Sequence, residues 1–159
     1  MDLTEIRESC CCHITHRCQE RRYLLRYARD RRAFVKRLWQ MKQGHRVDVL
    51  SYMATSNHFH LLLWAERPGH ASEAMQFLGG VVAQDYNRRK KREGAFWRGR
   101  HRATLVQTGP HLCRCLFYID MNMVRAGMGR DFLSRVGRRP PAVPHREPRS
   151  TLLGPGVRR

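Results

Sequence analysis

Residues 46–65, RVDVLSYMATSNHFHLLLWA, decide the fold. Two runs rich in β-formers, Arg46–Thr55 and His58–Ala65, flank Ser56-Asn57, a pair whose side chains bond back to nearby backbone and so favour a tight turn. The pattern predicts an antiparallel hairpin whose second strand, HFHLLLWA, is apolar enough to lie inside the sheet. Alternate residues of a strand share a face, so His58 and His60 project together while Phe59 and Leu61 turn to the core. Two imidazoles side by side can bind one ion. Two solvent-facing histidines are the plainer alternative, but their place at the head of an apolar strand favours the metal.

Working outward, Cys11–Arg17 (CCHITHR) reads as a strand around Ile14 and Thr15. Gln19–Gln43 is rich in Arg and Leu, with Asp30 as N-cap of a helix whose apolar stripe is Phe34, Val35, Leu38, Trp39 and Met41; Gly44 stops it. Beyond the hairpin, Pro68-Gly69 closes the segment. His70–Glu93 predicts a long helix with Met75, Leu78, Val81 and Val82 inward and Asn87–Glu93 (NRRKKRE) as its solvated end, although Gly79-Gly80 weakens it. A loop, Gly94–Arg102 (GAFWRGRHR), leads to a fourth strand, Ala103–Thr108, and a last helix from about His111 to Arg125 that starts at Gly109-Pro110 and ends near Gly127.

The order β-α-β-β-α-β-α is α+β. Without its last helix it is the ferredoxin-like split unit, a four-stranded antiparallel sheet with two helices on one face. The last helix can lie across the sheet edge or the open face. Residues 1–128 form one domain on this reading. The tail, 129–159, holds five of the seven prolines and eight arginines with almost no periodic apolar pattern, and is expected to be disordered.

Thirty-one Lys and Arg against 13 Asp and Glu give a formal net charge of +18. A compact domain so charged repels itself unless a polyanion screens it, and nucleic acid is the obvious one. No stretch approaches a membrane span, and neither a secretory signal nor a lipidation motif is evident, which excludes membrane classes and leads to a cytoplasmic expectation, nucleoid-associated when bound to DNA. The six cysteines are then reduced. Cys12, His13, His16 and Cys18 lie on one strand, which cannot wrap a tetrahedral zinc ion. Cys113 and Cys115 read as small apolar residues of a helix.

A metal needs a third ligand and a purpose. Tyr118 and Asn122 are four apart on the last helix, off the stripe of Leu112, Leu116, Ile119 and Met123, and therefore on a shared face. Tyrosine is a competent nucleophile, and an amide oxygen suits a hard divalent ion. A half-buried aromatic is the blander reading of Tyr118. Tyr86, beside the basic run, is the alternative nucleophile. Arg88, Arg89, Lys90, Lys91 and Arg92, with Trp97, Arg98, Arg100, Arg102 and Arg17, make a candidate nucleic-acid groove in which Phe96 or Trp97 could stack on a base.

Four motifs in consistent order over about residues 10–128 resemble a known family. Ser56–Leu63 (SNHFHLLL) resembles the "PNHVHLLL" strand of the HUH single-tyrosine transposases, more narrowly the REP-associated tyrosine transposases. His13–Arg17 is similar to their first strand. Tyr86–Arg89 followed by Phe96–Arg100 resembles "FNRRY…LWQGRF", and Tyr118–Gly127 resembles "YIxxNPVRAG". The chain departs from that pattern at Met123, where proline is usual, at Arg98, where glutamine is common, and from Gly129 onward. The resemblance implies the ferredoxin-like fold and a divalent ion, Mg²⁺ or Mn²⁺, on His58, His60 and Asn122. It also implies cleavage and rejoining of single-stranded DNA beside a hairpin through a 5′-phosphotyrosine on Tyr118, by a monomer or homodimer. Two alternatives remain open from the residues: a catalytically inactive or domesticated nucleic-acid-binding protein, and a metal-dependent phosphodiesterase. A triple His-x-His-x-His signature is excluded by Leu62.

Overall fold

The computed structural model describes residues 9–107 and 109–125, with the backbone alone for 123–125. The elements run β1 (Cys10–Arg17), α1 (Ala28–Gly44), β2 (Val47–Ala54), β3 (His58–Ala65), α2 (Pro68–Lys90), β4 (Arg102–Val106) and α3 (Pro110–Arg125). The sheet order is β2-β3-β1-β4 with every neighbour antiparallel, the ferredoxin-like arrangement expected from the element order. β1 and β3 are central, and Phe59, Leu61, Leu62, Leu63 and Ala65 of β3 are fully enclosed. The tail from Gly129, the end of α3 near Gly127 and the side chain of Met123 lie outside what is described.

One sheet face carries the main core. Cys12 and Ile14 of β1, Phe59, Leu61, Leu63 and Ala65 of β3, and Val47 and Ala54 of β2 meet Phe34, Leu38 and Met41 of α1 and Ala74, Met75, Leu78 and Val82 of α2. Each large side chain so enclosed contributes roughly 1.5–3 kcal/mol. The opposite face is covered only in part. There α3 lays Ile119 onto Met53, Leu62 and Val106, with Leu50, Leu112, Cys115 and Leu116 around them. The last helix thus takes the open face rather than the edge.

A bulge makes this possible. Val49 pairs with Leu63 and Ser51 with Leu62, so Leu50 is the extra residue. The added residue lets β2 keep Val49 and Tyr52 against the main core while Leu50 and Met53 both serve the second. Strict alternation from Val47 would have sent one set to the wrong side.

Several expectations are corrected. Asp30 is not an N-cap: Tyr27 holds that position, and Asp30 lies in the first turn of α1, buried, in an ion pair with Arg89 of α2. Trp39 is exposed under the ammonium of Lys42 rather than part of the core stripe, and Val81 is only half-buried. Pro68 opens α2 instead of closing the hairpin segment, as a residue without an N–H can at a helix start. α2 runs unbroken through Gly79-Gly80, because no positive φ occurs there and Trp97 packs over Gly79. It ends at Lys90, with Lys91 in the left-handed region at φ 47°. The fourth strand is Arg102–Val106, shifted and shorter than expected. Cys113 is exposed. Among the described residues no helix is long and apolar enough to cross a membrane.

Candidate active site

The register of the sheet sets out the site. On the face that carries α3, Met53, His60, Thr15 and Arg102 form one cross-strand row, and Leu62, His13 and Thr104 the next. His58 stands opposite Arg17 at the end of the strands. Alternation therefore brings His58 and His60 together as expected, with ring centroids 5.3 Å apart. The β1–β3 register also places His13 beside His60, a contact that no motif within one strand could show.

Both histidines of the pair are held from behind. His58 Nδ1 lies 2.8 Å from Asn57 Oδ1 and 2.9 Å from Thr55 Oγ1. The Asn57 amide nitrogen donates to the Arg21 carbonyl at 3.2 Å, which fixes its oxygen as the atom facing His58. His58 Nδ1 must then carry the proton, leaving Nε2 with a free lone pair. His60 Nδ1 lies 3.0 Å from His13 Nε2. Burial lowers the pKa of His13, His58 and His60. For His58 the guanidinium of Arg17 adds to the effect, and for His60 the neighbouring imidazoles and Arg17 take it to about 4. All three rings are neutral at pH 7, the state in which imidazole can ligate a metal.

Tyr118 hangs from α3 over this cluster. Its ring meets His60 edge-on at 5.7 Å and His13 at 6.1 Å, with about half of the side chain exposed. A cleft of about 550 Å³ opens beside it, lined by His13, Thr15, His60, Arg102, Arg114 and Tyr118 among others. Asn122, one turn on, gives its amide N–H to the Tyr118 carbonyl at 2.9 Å, and among the described residues its oxygen has no hydrogen-bond partner. Among the described residues no three His, Cys, Asp or Glu side chains converge as a metal cluster. His13 is engaged with the Nδ1 side of His60. Imidazole nitrogen and amide oxygen are donor types a divalent ion takes, and among the described residues no contact joins Asn122 to His58 or His60.

The remaining sequence candidates lie apart from this cluster. Tyr86 packs edge-on against Phe96 under the Arg89 guanidinium, in the helix layer, and its pKa is raised by burial first and by Asp30 second. Phe96 is in the core and closed to a base. Trp97 stacks on His16 at 4.6 Å and gives its indole N–H to the Gly79 carbonyl at 3.0 Å. Arg89 turns inward to Asp30, and Arg92 binds the Asn87 side chain and the carbonyls of Gly94 and Ala95. Arg88, Lys90, Lys91, Arg98, Arg100 and Arg102 are exposed, as is Arg17. Of these, Arg102 lines the cleft. His13, Thr15 and Arg114, which also line the cleft, carry no motif that marks them in the sequence. Alternation on β1 puts His13, Thr15 and Arg17 on one face, the available signal, but their pairing with β3 had to be known to use it.

The comparisons with known proteins agree with this architecture. The family model described as "Transposase IS200 like" matches residues 6–122. A solved REP-associated tyrosine transposase bound to a REP hairpin superposes with a TM-score of 0.63 at 13% identity, covering 81% of this chain and 80% of that one. A protein of Deinococcus radiodurans R1 assigned as a transposase gives a TM-score of 0.53 at 13% identity, covering 85% of this chain and 97% of its own. No curated protein matches. With the family model spanning most of the chain and the fold shared by both solved structures, the chain belongs to the IS200-like transposases.

Proposed function

We propose that this chain cleaves and rejoins single-stranded DNA beside a hairpin, with Tyr118 as the nucleophile. The observation that carries the reading is the juxtaposition of Tyr118 with His60 and His13 across a cleft bounded by Arg102 and Arg114. A phosphodiester entering that cleft meets two guanidiniums that attract it and a phenol at its edge. Tyr118 Oη attacks phosphorus and its proton is released to solvent. The new O–P bond forms as the bond to the 3′-oxygen breaks, and that oxygen departs, protonated, as a 3′-hydroxyl. The 5′-phosphotyrosine conserves one phosphodiester bond, so a 3′-hydroxyl can reverse the step and no nucleotide cofactor is consumed.

His58, His60 and Asn122 are the residues that would hold Mg²⁺ or Mn²⁺. Bound there, the ion supplies charge to offset that on the phosphate. His60 can serve only if its Nδ1–H donates to His13, because the opposite proton placement leaves a hydrogen on Nε2. His13 thereby selects the tautomer. Tyr118 is preferred to Tyr86 because Tyr86 is engaged with Phe96 and Arg89 in the helix layer. Arg17, Arg88, Lys90, Lys91, Arg98, Arg100 and Arg102 are the cations proposed to meet DNA. The hairpin is carried over from the REP-associated transposase to which the fold is similar.

The test is a covalent adduct with single-stranded DNA and Mn²⁺, read on a denaturing gel. Tyr118→Phe should abolish it while DNA binding persists, and Tyr86→Phe should retain it. Binding without any adduct in the wild type supports an inactive nucleic-acid-binding protein. Cleavage with no adduct supports a metal-dependent phosphodiesterase.

A further inference from the structure

All six cysteines of the chain carry free thiols, and the fold sorts them. Cys10, Cys12 and Cys18 are sealed in the main core under α1 and α2. Cys113 is exposed on α3. Cys11 and Cys115 are half-buried, and both pack against the small second core of Met53, Leu62, Val106 and Ile119. The chemistry proposed for the cleft uses neither of them.

Strand register and helical spacing bring this pair together. Cys11 turns to the sheet face opposite that of Cys10 and Cys12, and β1 pairs it with Val106 of β4. On α3, Cys115 stands one turn before Ile119, which is clustered with Val106. A strand thiol beside Val106 and a helix thiol beside Ile119 therefore face each other across the gap between β1 and α3. Electrostatics agree with this placement. Burial first, Cys115 second and Cys10 third push the Cys11 thiol up to about 11. A cysteine of another element thus acts on Cys11 more strongly than its own chain neighbour. Cys115 also lines the cleft, so a small solute reaches its sulfur from solvent, with Cys11 beneath it in the apolar contact.

We propose that Cys11 and Cys115 form a reversible oxidation site, closed into a disulfide by hydroperoxides, that staples the Tyr118-bearing helix to the central strand β1. A hydroperoxide gives its terminal oxygen to the Cys115 thiol, which becomes a sulfenic acid, and leaves as an alcohol, or as water when it is hydrogen peroxide. The Cys11 sulfur then attacks the Cys115 sulfur. The S–S bond forms as the S–OH bond breaks, and the hydroxide leaves as water with the Cys11 proton. The two thiols lose two electrons, which one hydroperoxide takes up. A dithiol reverses the step by exchange. The bond closes a loop that includes most of the folded chain, the case in which a cross-link removes most entropy from the unfolded state. It fastens α3, which rests on a few apolar side chains, to a strand that the main core holds. Oxidation thereby keeps Tyr118 over His60 and His13.

The test treats the full chain with a small excess of hydrogen peroxide and then blocks the remaining thiols with iodoacetamide. Mass spectrometry of the unreduced tryptic digest should show the peptide of Cys11 joined to that of Cys115, and dithiothreitol should release it. Cleavage after Arg114 separates Cys115 from Cys113. Cys11→Ser and Cys115→Ala, their folding checked by circular dichroism, should each abolish the link, and Cys113→Ser should keep it. The oxidised wild type should melt roughly 5 °C or more above the reduced protein, a rise absent in Cys115→Ala. Oxidation of Cys115 to a sulfinic acid with no cross-link overturns the pair. A link that survives Cys11→Ser, or one that leaves the melting midpoint unchanged, overturns the staple. These readouts need no DNA, so the adduct assay judges Tyr118 separately.

Discussion

His13 Nε2 stands 3.0 Å from His60 Nδ1, so a residue of β1 governs how a residue of β3 can present its other ring nitrogen. Replacing His13 by Ala should weaken Mn²⁺ binding roughly 10–100-fold. Titration followed by the electron paramagnetic resonance of free Mn²⁺ reads this without DNA. His13→Gln keeps an acceptor and should recover part of the loss. Unchanged affinity in His13→Ala would show that His60 needs no support.

The buried pair of Asp30 and Arg89 predicts a stability effect where the basic run alone suggests a binding one. The Asp30 side chain is 1% exposed, so Arg89→Ala strands a carboxylate inside the helix layer. Urea unfolding should show a loss of about 3 kcal/mol or more. An Arg89→Ala protein as stable as the wild type but weaker on DNA would return Arg89 to the groove.

Gly80 lies inside α2 with nothing within 4 Å of where a Cβ would stand, and its φ is negative. Gly80→Ala should therefore stabilise the helix by about 0.5–1 kcal/mol. A rise in the thermal midpoint, with adduct formation unaltered, is the expected outcome.

Acid should destabilise the metal-free protein through its buried histidines. The His60 pKa falls from 6.5 to about 4 in the folded state, and those of His13, His16, His58 and His101 are also lowered, burial being the leading cause for each. Between pH 6.5 and about 4 the unfolded chain binds protons that the folded one refuses, so stability falls as pH falls through that window. Thermal midpoints measured in chelator from pH 7 to 4 should decline. The decline should be shallower in His60→Asn, and equal slopes would contradict the depressed His60 pKa.

The sheet was legible in the sequence because its determinants are local. The Ser56-Asn57 turn fixes the β2–β3 hairpin, and the apolar run of β3 marks a central strand. The features that were not legible depend on pairing between distant segments. Asp30 looks like a cap until α2 places Arg89 against it, and then burial of the pair outweighs the local preference. Trp97 looks like a base-stacking platform until Gly79, without a side chain, offers it a seat and a carbonyl. In the site, His58 and His60 follow from strand alternation within one segment, whereas His13 and Thr15 require the β1–β3 register. The arginines between β1 and α1 show in the composition, but only the fold separates them from the buried stripe of α1.

The sheet has two cores, a large one under α1 and α2 and a small one under α3. The histidines are fastened to the first and the tyrosine to the second. Detachment of α3 would take Tyr118, Asn122 and Arg114 away from the cleft while His13, His58 and His60 stay on the folded sheet. If Tyr118 is the nucleophile proposed above, loss of reactivity on warming should precede loss of the fold, and the helix that bears it can change over generations without rebuilding the scaffold.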